Sequence, residues 1–368
     1  MATTTVSSDN RVKKYLADFY REFVRENMFS PYTGTGNNNI INIDMDKKQI
    51  SIPLISRLKG NGVSGSSTLR GNGENIGDYA MVLTPTYYRH AVEFTKEEKD
   101  KPAFDLMSAA RPLLMDWSME LQRDHVIEAM GQVSASGTVL DYGAATPTNR
   151  NTWAVANSDR ILYGHDTGHY SGVHATDLAK CVLAEDSADK EIISLMKRMA
   201  KNADPHIRPI RIKGGYEYFV AFCDSYTFRD IKSDLATSHQ NAMPRSKDNI
   251  LFQDGDLLWD GVIIREVPEI GNFIDGGTTI NTHGDWTSLA TAGSATDRVS
   301  PIFLCGQQAV GYGMGQRPDI IVDRTYDYSF QPGVAVECKH DIEKAFFQGT
   351  SGDVQHGMVT AFVSSAAD

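Results

Sequence analysis

The spacing of apolar residues changes several times along the chain, and each change marks an element. Over residues 10–28, NRVKKYLADFYREFVRENM, Val12, Tyr15, Leu16, Phe19, Phe23 and Val24 recur at helical intervals among Arg11, Lys13, Lys14, Arg21 and Arg25, which predicts an amphipathic helix. After the turn-rich SPYTGTGNNN, Ile50, Ile52 and Leu54 alternate with polar neighbours, and DYAMVLTPTYYRHAVEF reads as a returning arm. The two arms enclose a middle crowded with Gly and Ser, which predicts a long β-hairpin. Its apex, Gly60 to Gly77, is too long for a tight turn and too polar for a core, so it needs a surface outside the subunit. Asp100, Lys101 and Pro102 signal the start of a long helix over 103–131, with Met107, Ala110, Leu114, Trp117, Leu121 and Ile127 on one side. Pro112 is expected to kink it or mark a restart, and Gly131 to stop it.

A second helix, roughly Ala188 to Ala203, carries Ile192, Met196 and Met199 and ends before Pro205. The period then falls to two. IRPIRIKGGYEYFVAFC reads as a hairpin turning at Gly214 and Gly215, with Tyr216, Tyr218, Val220 and Phe222 on one face and Glu217, Phe219 and Ala221 on the other. Asp224 is placed to cap a short helix through Leu235. Beyond it, strands mix with short helices, and HGMVTAFVSS supplies a closing strand. The fold class is α+β, without regular βαβ alternation or internal repeats.

Composition narrows the function classes. A chain of 368 residues with 41% hydrophobic content can bury a sizeable core, and a net charge of -11 argues against a DNA-coating surface built mainly from cations. Cys181, Cys223, Cys305 and Cys338 are far apart among strand and helix formers, which predicts reduced, buried thiols. MATTTVSSDNRVKK lacks a signal-peptide apolar region, and no apolar run approaches the roughly 20 residues of a membrane span, so synthesis in the cytosol and no membrane contact are expected.

The densest candidate chemistry is YGHDTGHYSGVHATD, residues 163–177. His165 and His169 are four apart, but Gly164, Gly168 and Gly172 argue against the helix that would align them, and Asp166 stands where metalloprotease-type sites place a Glu. The preferred reading is a polar surface loop leading into the second helix, with Thr176 or Asp177 as a cap. GYGMGQRPD, residues 311–319, lacks the Lys-Ser/Thr pair of a phosphate loop and is expected to be a helix end with a turn. GTSGD, residues 349–353, contains no G-x-S-x-G elbow and reads as a polar turn. KEEKDK, residues 96–101, reads as a solvated helix start. No catalytic constellation and no cofactor site are expected.

The order of parts carries more information than any motif. LMSAARPLLMDWSMELQRDHVIEAM is similar to the segment that leads into and forms the spine helix in one branch of the tailed-bacteriophage major capsid proteins with the Hong Kong 97-like fold, and NSDRILYG resembles the connection after it. KNADPHIRPIRIKGGYEYFVAFCDSYTFRDIKSD resembles the entry to the central domain. NILFQDGDLLWDGVIIREVPEI, LCGQQAVGYGMG and DYSFQPGVAVECKHDIEKAFFQ follow in the family's order. The resemblance covers most of the chain from about Gly73 onward; the arm and hairpin tip match by position and character.

That resemblance implies an N-terminal arm over 1–46, an extended β-hairpin loop over 47–94, and a peripheral domain with the spine helix and the start of the axial region over 95–205. It further implies a mainly axial domain over 206–320 and C-terminal strands returning to the peripheral and axial core over 321–368. The implied function is a shell of pentamers and hexamers around phage double-stranded DNA, which is contacted non-specifically. Scaffolding, portal and decoration proteins are the further partners, and the virion is the destination after synthesis in the host bacterial cytoplasm. Arg11, Lys13, Lys14, Arg57, Lys59 and Arg70 are the candidate inter-subunit contacts. Lys59 stands beside Asn61 near the apex, but nothing local supplies an acid catalyst, so covalent crosslinking is not expected. The alternatives are a metal-dependent cytosolic hydrolase using His165, His169 and His174, and a non-shell virion protein.

Overall fold

The computed structural model describes residues 27–46, 48–55, 57–58, 60–99, 105–181, 185–211, 215–240, 257–272, 297–349 and 352–366. The helix predicted over 10–28, with Arg11, Lys13 and Lys14, and the candidate Lys59 lie outside the described residues, apart from positions 27 and 28. The chain forms two units, each built from separated stretches. The smaller takes in 87–121 and 316–339, the larger 27–86, 122–315 and 340–368.

The larger unit is organised by one mixed sheet whose strands run in the order Leu257–Trp259, Val262–Glu266, Glu217–Cys223, Asp297–Cys305, Met358–Ala366 and Ile161–Tyr163. The pair Glu217–Cys223 and Val262–Glu266 is parallel, whereas Asp297–Cys305 runs antiparallel to both Glu217–Cys223 and the closing strand Met358–Ala366. Successive strand residues point to opposite faces. Phe219, Ala221, Cys223, Ile264, Leu304 and Ala361 pack under the helices Lys190–Asn202 and Ser225–Gln240 through Ile192, Met196, Ile231 and Leu235. Val220, Phe222, Ile263 and Phe303 face the other way, onto Phe29, Tyr32, Ile41, Val126 and Met130. The predicted alternation in YEYFVAFC and the antiparallel pairing with Ile210–Arg211 are therefore both present.

Aspartates open three helices, and of these only the Asp224 cap is expected from the sequence. Asp105 accepts from Met107 N at 3.2 Å and Ser108 Oγ at 2.7 Å, opening the long helix Leu106–Gly131. Asp189 accepts from Glu191 N and Ile192 N, and Asp224 from Thr227 N at 2.9 Å. The long helix continues through Pro112 instead of restarting there. Its buried stripe also departs from expectation: Met107 and Leu114 serve the smaller unit, while Val126, Ile127, Ala129 and Met130 serve the larger. In the smaller unit the helix packs with Val92, Val334 and Val336, and Phe94 N and Lys96 N donate to Pro332 O and Phe330 O.

Two segments correct the sequence reading. The stretch after Gly131, for which the sequence predicts no element, contains a short hairpin, Val133–Ala135 with Thr138–Leu140, and a helix, Pro147–Ala156, capped by Thr146. GYGMGQRPD is not a helix end; it lies inside the 14-residue strand Val310–Asp323. The described ends of GTSGD belong to two paired strands, with Gly349 opposite Gly352. The four cysteines are free and buried.

Candidate assembly surface

The predicted long hairpin is built from Ile50–Ile55 and Asp78–Leu83, paired antiparallel from Ile50–Leu83 at its root to Ile55–Asp78 toward its tip. Burial falls along its length. Ile50, Met81 and Leu83 pack with Ala345 and Phe347, and Ile52, Leu54 and Tyr79 are half-covered. Ile55, Leu58, Leu69 and Ile76 are each at least 60% exposed, a concentration of bare apolar side chains on one excursion.

The root is held by features the sequence disguised as a glycine-rich loop. A Cβ on Gly311 would lie 3.2 Å from Ile52 Cδ1 and Met81 Cε, and one on Gly313 would lie 3.1 Å from Ile50 Cδ1. Glycine at these two strand positions lets the hairpin root approach closely; a Cβ there would require these side-chain ends to shift by a few tenths of an ångström. The carboxylate of Asp341 fixes the end of the returning arm by accepting Thr84 N at 2.6 Å. At the apex, Glu74 Oε2 accepts Gly60 N and Thr68 O accepts Asn72 Nδ2, so these bonds stay within the loop. Of the candidate contact cations, Arg57 reaches Asp204 of its own chain at 3.4 Å with both side chains about half exposed, and Arg70 is exposed.

Asp341 belongs to an acidic seam between the last turns of the long helix and the end of strand Gly333–Lys344. Burial first, and then the charges of Asp141 and Asp124, push Glu128 up to about 7. Burial, with Asp341 and Asp141 adding, pushes Glu343 to about 7 as well. His125 Nδ1 and His340 Nε2 lie 2.9 Å apart in the same seam, and burial holds both imidazoles below the ordinary histidine value. Next along the strand, Lys344 is fully buried, its Nζ 3.3 Å from Gln355 Oε1 and 5.5 Å from the ring centres of Trp153 and Phe346. Burial lowers its pKa to about 7. No sequence signal separated these residues from other charged positions on a strand.

The histidine-rich segment is a structural element of the larger unit, and it corrects the expected surface loop. His174 is buried between two tyrosines, with Tyr163 OH 2.6 Å from Nδ1 and Tyr142 OH 2.7 Å from Nε2. Burial, reinforced by Arg150, drives its pKa down to about 3, so the ring is neutral. Asp177 is also buried and accepts from Ser171 N and Gly172 N at 2.8 and 3.2 Å; it turns the loop and does not cap the second helix, which Asp189 does. Burial pushes Asp177 up, but the Ser171 and Lys180 hydrogen bonds outweigh it and hold the carboxyl low. His169 Nδ1 faces Tyr163 O at 3.1 Å, and both ring nitrogens of His165 face protein oxygens. Among the described residues no three metal-binding side chains gather, and this arrangement gives a metal-dependent hydrolase no support.

No helix among the described residues is long and apolar enough to cross a membrane. The family model described as phage capsid protein matches residues 3–367. The major capsid protein of Pseudomonas phage KPP25 is 23% identical over 332 residues, covering 86% of this chain and 85% of that protein. Among solved structures, the capsid asymmetric unit of cyanophage Pam1 is 32% identical, covers 100% of both chains and superposes with a TM-score of 0.87. The capsid of Ralstonia phage GP4, at 18% identity, shares the fold over 100% of this chain and 99% of its own, with a TM-score of 0.69. A mixed fold matched over its whole length, a rooted hairpin with a bare apolar tip and a family match spanning nearly every residue lead to one conclusion: the chain belongs to the phage capsid protein family.

Proposed function

We propose that this phage major capsid protein forms pentamers and hexamers that close an icosahedral shell around packaged DNA, with a Hong Kong 97-like subunit. In this reading residues 1–46 are the arm, 47–94 the extended loop, 95–205 the peripheral domain, 206–320 the axial domain and 321–368 the returning strands. The observation that carries it is the hairpin. An isolated two-stranded hairpin is at best marginally stable in water. Here the root is packed while Ile55, Leu58, Leu69 and Ile76 are bare. Covering each such side chain contributes roughly 1.5–3 kcal/mol, enough to offset the ordering of a glycine-rich tip when a neighbouring copy supplies the surface. Arg57, Lys59 and Arg70 add polar contacts there, and Arg11, Lys13 and Lys14 do so from the arm. A net charge of -11 suits a lining that does not grip each phosphate of the packaged DNA.

The test replaces residues 60–73 with a short Gly-Ser turn. The expected outcome is a subunit with unchanged far-UV circular dichroism and main unfolding transition, and shells that are absent or heat-labile by negative-stain microscopy and sedimentation. Normal, heat-stable particles would remove the hairpin from the assembly mechanism. A subunit that no longer folds would show instead that the tip supports its own chain.

A further inference from the structure

The histidine-rich segment contains one ring whose surroundings specify its protonation state. His165 lies in the turn after strand Ile161–Tyr163. Its Nδ1 is 2.6 Å from Glu185 O and its Nε2 is 2.9 Å from Asp189 Oδ1. Both partners are acceptors. The carbonyl has no proton to give, and Asp189 Oδ1 already receives two backbone N–H groups at the start of helix Lys190–Asn202, the role of an ionised cap. A neutral imidazole has one N–H and satisfies one of these contacts; the imidazolium satisfies both.

Of the other charges nearby, the Asp186 carboxylate acts in the same direction. Asp186 accepts His165 N at 2.8 Å, and His169 Nδ1 lies 3.8 Å from the same carboxylate. Lys190, at the helix start, is engaged by Asp234 at 3.0 Å. Residues 185–189 are also tied to the closing strand, through Ala188 N to Ser364 O and Ser364 N to Asp186 O. The ring therefore bridges the turn after one sheet strand, a segment laid along another, and the cap of a core helix.

We propose that His165 is a pH-operated clip, which as an imidazolium fastens residues 185–189 and the start of helix Lys190–Asn202 to the turn after Ile161–Tyr163, and which gives up one of its two bonds on losing a proton. Burial pushes the ring toward neutrality, but the Asp189 and Glu185 hydrogen bonds and the charges of Asp189 and Asp186 outweigh it, and the pKa lies above the ordinary 6.5. The clip is thus fully closed below about pH 6.5 and opens as pH rises through the raised value.

The experiment uses the full-length subunit. Histidine ring carbon signals are followed by NMR against pH and assigned with His165→Gln and His169→Gln. Amide exchange across residues 186–192 is measured near pH 6 and pH 8.5 and corrected for intrinsic rates. A His165 pKa above 6.5 is expected, with several-fold greater protection near pH 6 in the wild type and in His169→Gln, and pH-independent protection in His165→Gln. A His165 pKa below 6.5, or the same pH dependence in His165→Gln, would overturn the proposal. Should His165→Gln fail to fold, His165→Asn takes its place for both the assignment and the exchange comparison, and a wild-type His165 pKa below 6.5 still overturns the proposal.

Discussion

Replacing Lys344 with methionine should stabilise the subunit at neutral pH, and the gain should shrink as pH rises. Lys344 is 1% exposed, and its pKa falls from 10.5 to about 7 because burial disfavours the charge. A lysine with a depressed folded-state pKa binds its proton less tightly folded than unfolded. Its protonation therefore opposes folding most below about pH 7, and the penalty fades as pH climbs toward 10.5. Each pH unit in this window corresponds to about 1.4 kcal/mol, giving a cost of about 4 kcal/mol at pH 7 and about 2 kcal/mol at pH 9. Methionine fills a similar volume but strands Gln355 Oε1, which Lys344 Nζ now reaches at 3.3 Å, a loss of about 1–3 kcal/mol. The net gain at pH 7 is then on the order of 1–3 kcal/mol. The difference between the two pH values, about 2 kcal/mol, does not depend on the stranded amide. Guanidinium unfolding of unassembled subunits at pH 7 and pH 9, followed by tryptophan fluorescence, measures both quantities. An Lys344→Met variant with the same stability change at both pH values, or one destabilised at pH 7, would refute the argument.

Glu128→Gln and Glu343→Gln should each stabilise the subunit by about 1–2 kcal/mol near pH 8.5, allowing for partial exposure, and change nothing near pH 4. Their raised pKa values, about 7 against 4.5, mean that wild-type stability is lost as pH rises through that window; urea titrations at the two pH values check it. Gly306→Ala should cost roughly 3 kcal/mol in thermal or chemical unfolding, because its Cβ would lie 2.4 Å from the Arg208 carbonyl oxygen, a backbone atom with little room to retreat.

Elements with local signals were legible in the sequence. The long helix is present and closes at Gly131 as expected, and Asp224 caps a core helix where expected; Asp105, which opens the long helix, is not singled out by the sequence pattern. Glu217–Cys223 alternates between two faces, and the hairpin arms pair around a glycine-rich apex. Each depends on residues within one or two turns of one another, which is the range over which period and capping chemistry act. Even there a local rule had two outcomes: Pro112 is expected to kink the helix or mark a restart, and the helix runs through it without restarting. The capsid role was also legible, because the order of segments resembled a known family over most of the chain.

What the tertiary structure decided was burial by partners distant in sequence. GYGMG is expected to be a helix end with a turn, and is instead strand, with Gly311 and Gly313 lying close to Ile50, Ile52, Met81 and Leu83 of the hairpin root. His174 sits in a polar stretch, yet Tyr142 and Tyr163 close over it and remove its charge. Glu128, Glu343 and Lys344 look like ordinary solvated charges until the long helix and the strand ending at Lys344 pack in the same unit. Dielectric environment and like-charge crowding are properties of three-dimensional neighbours, so no reading of spacing along the chain could assign them.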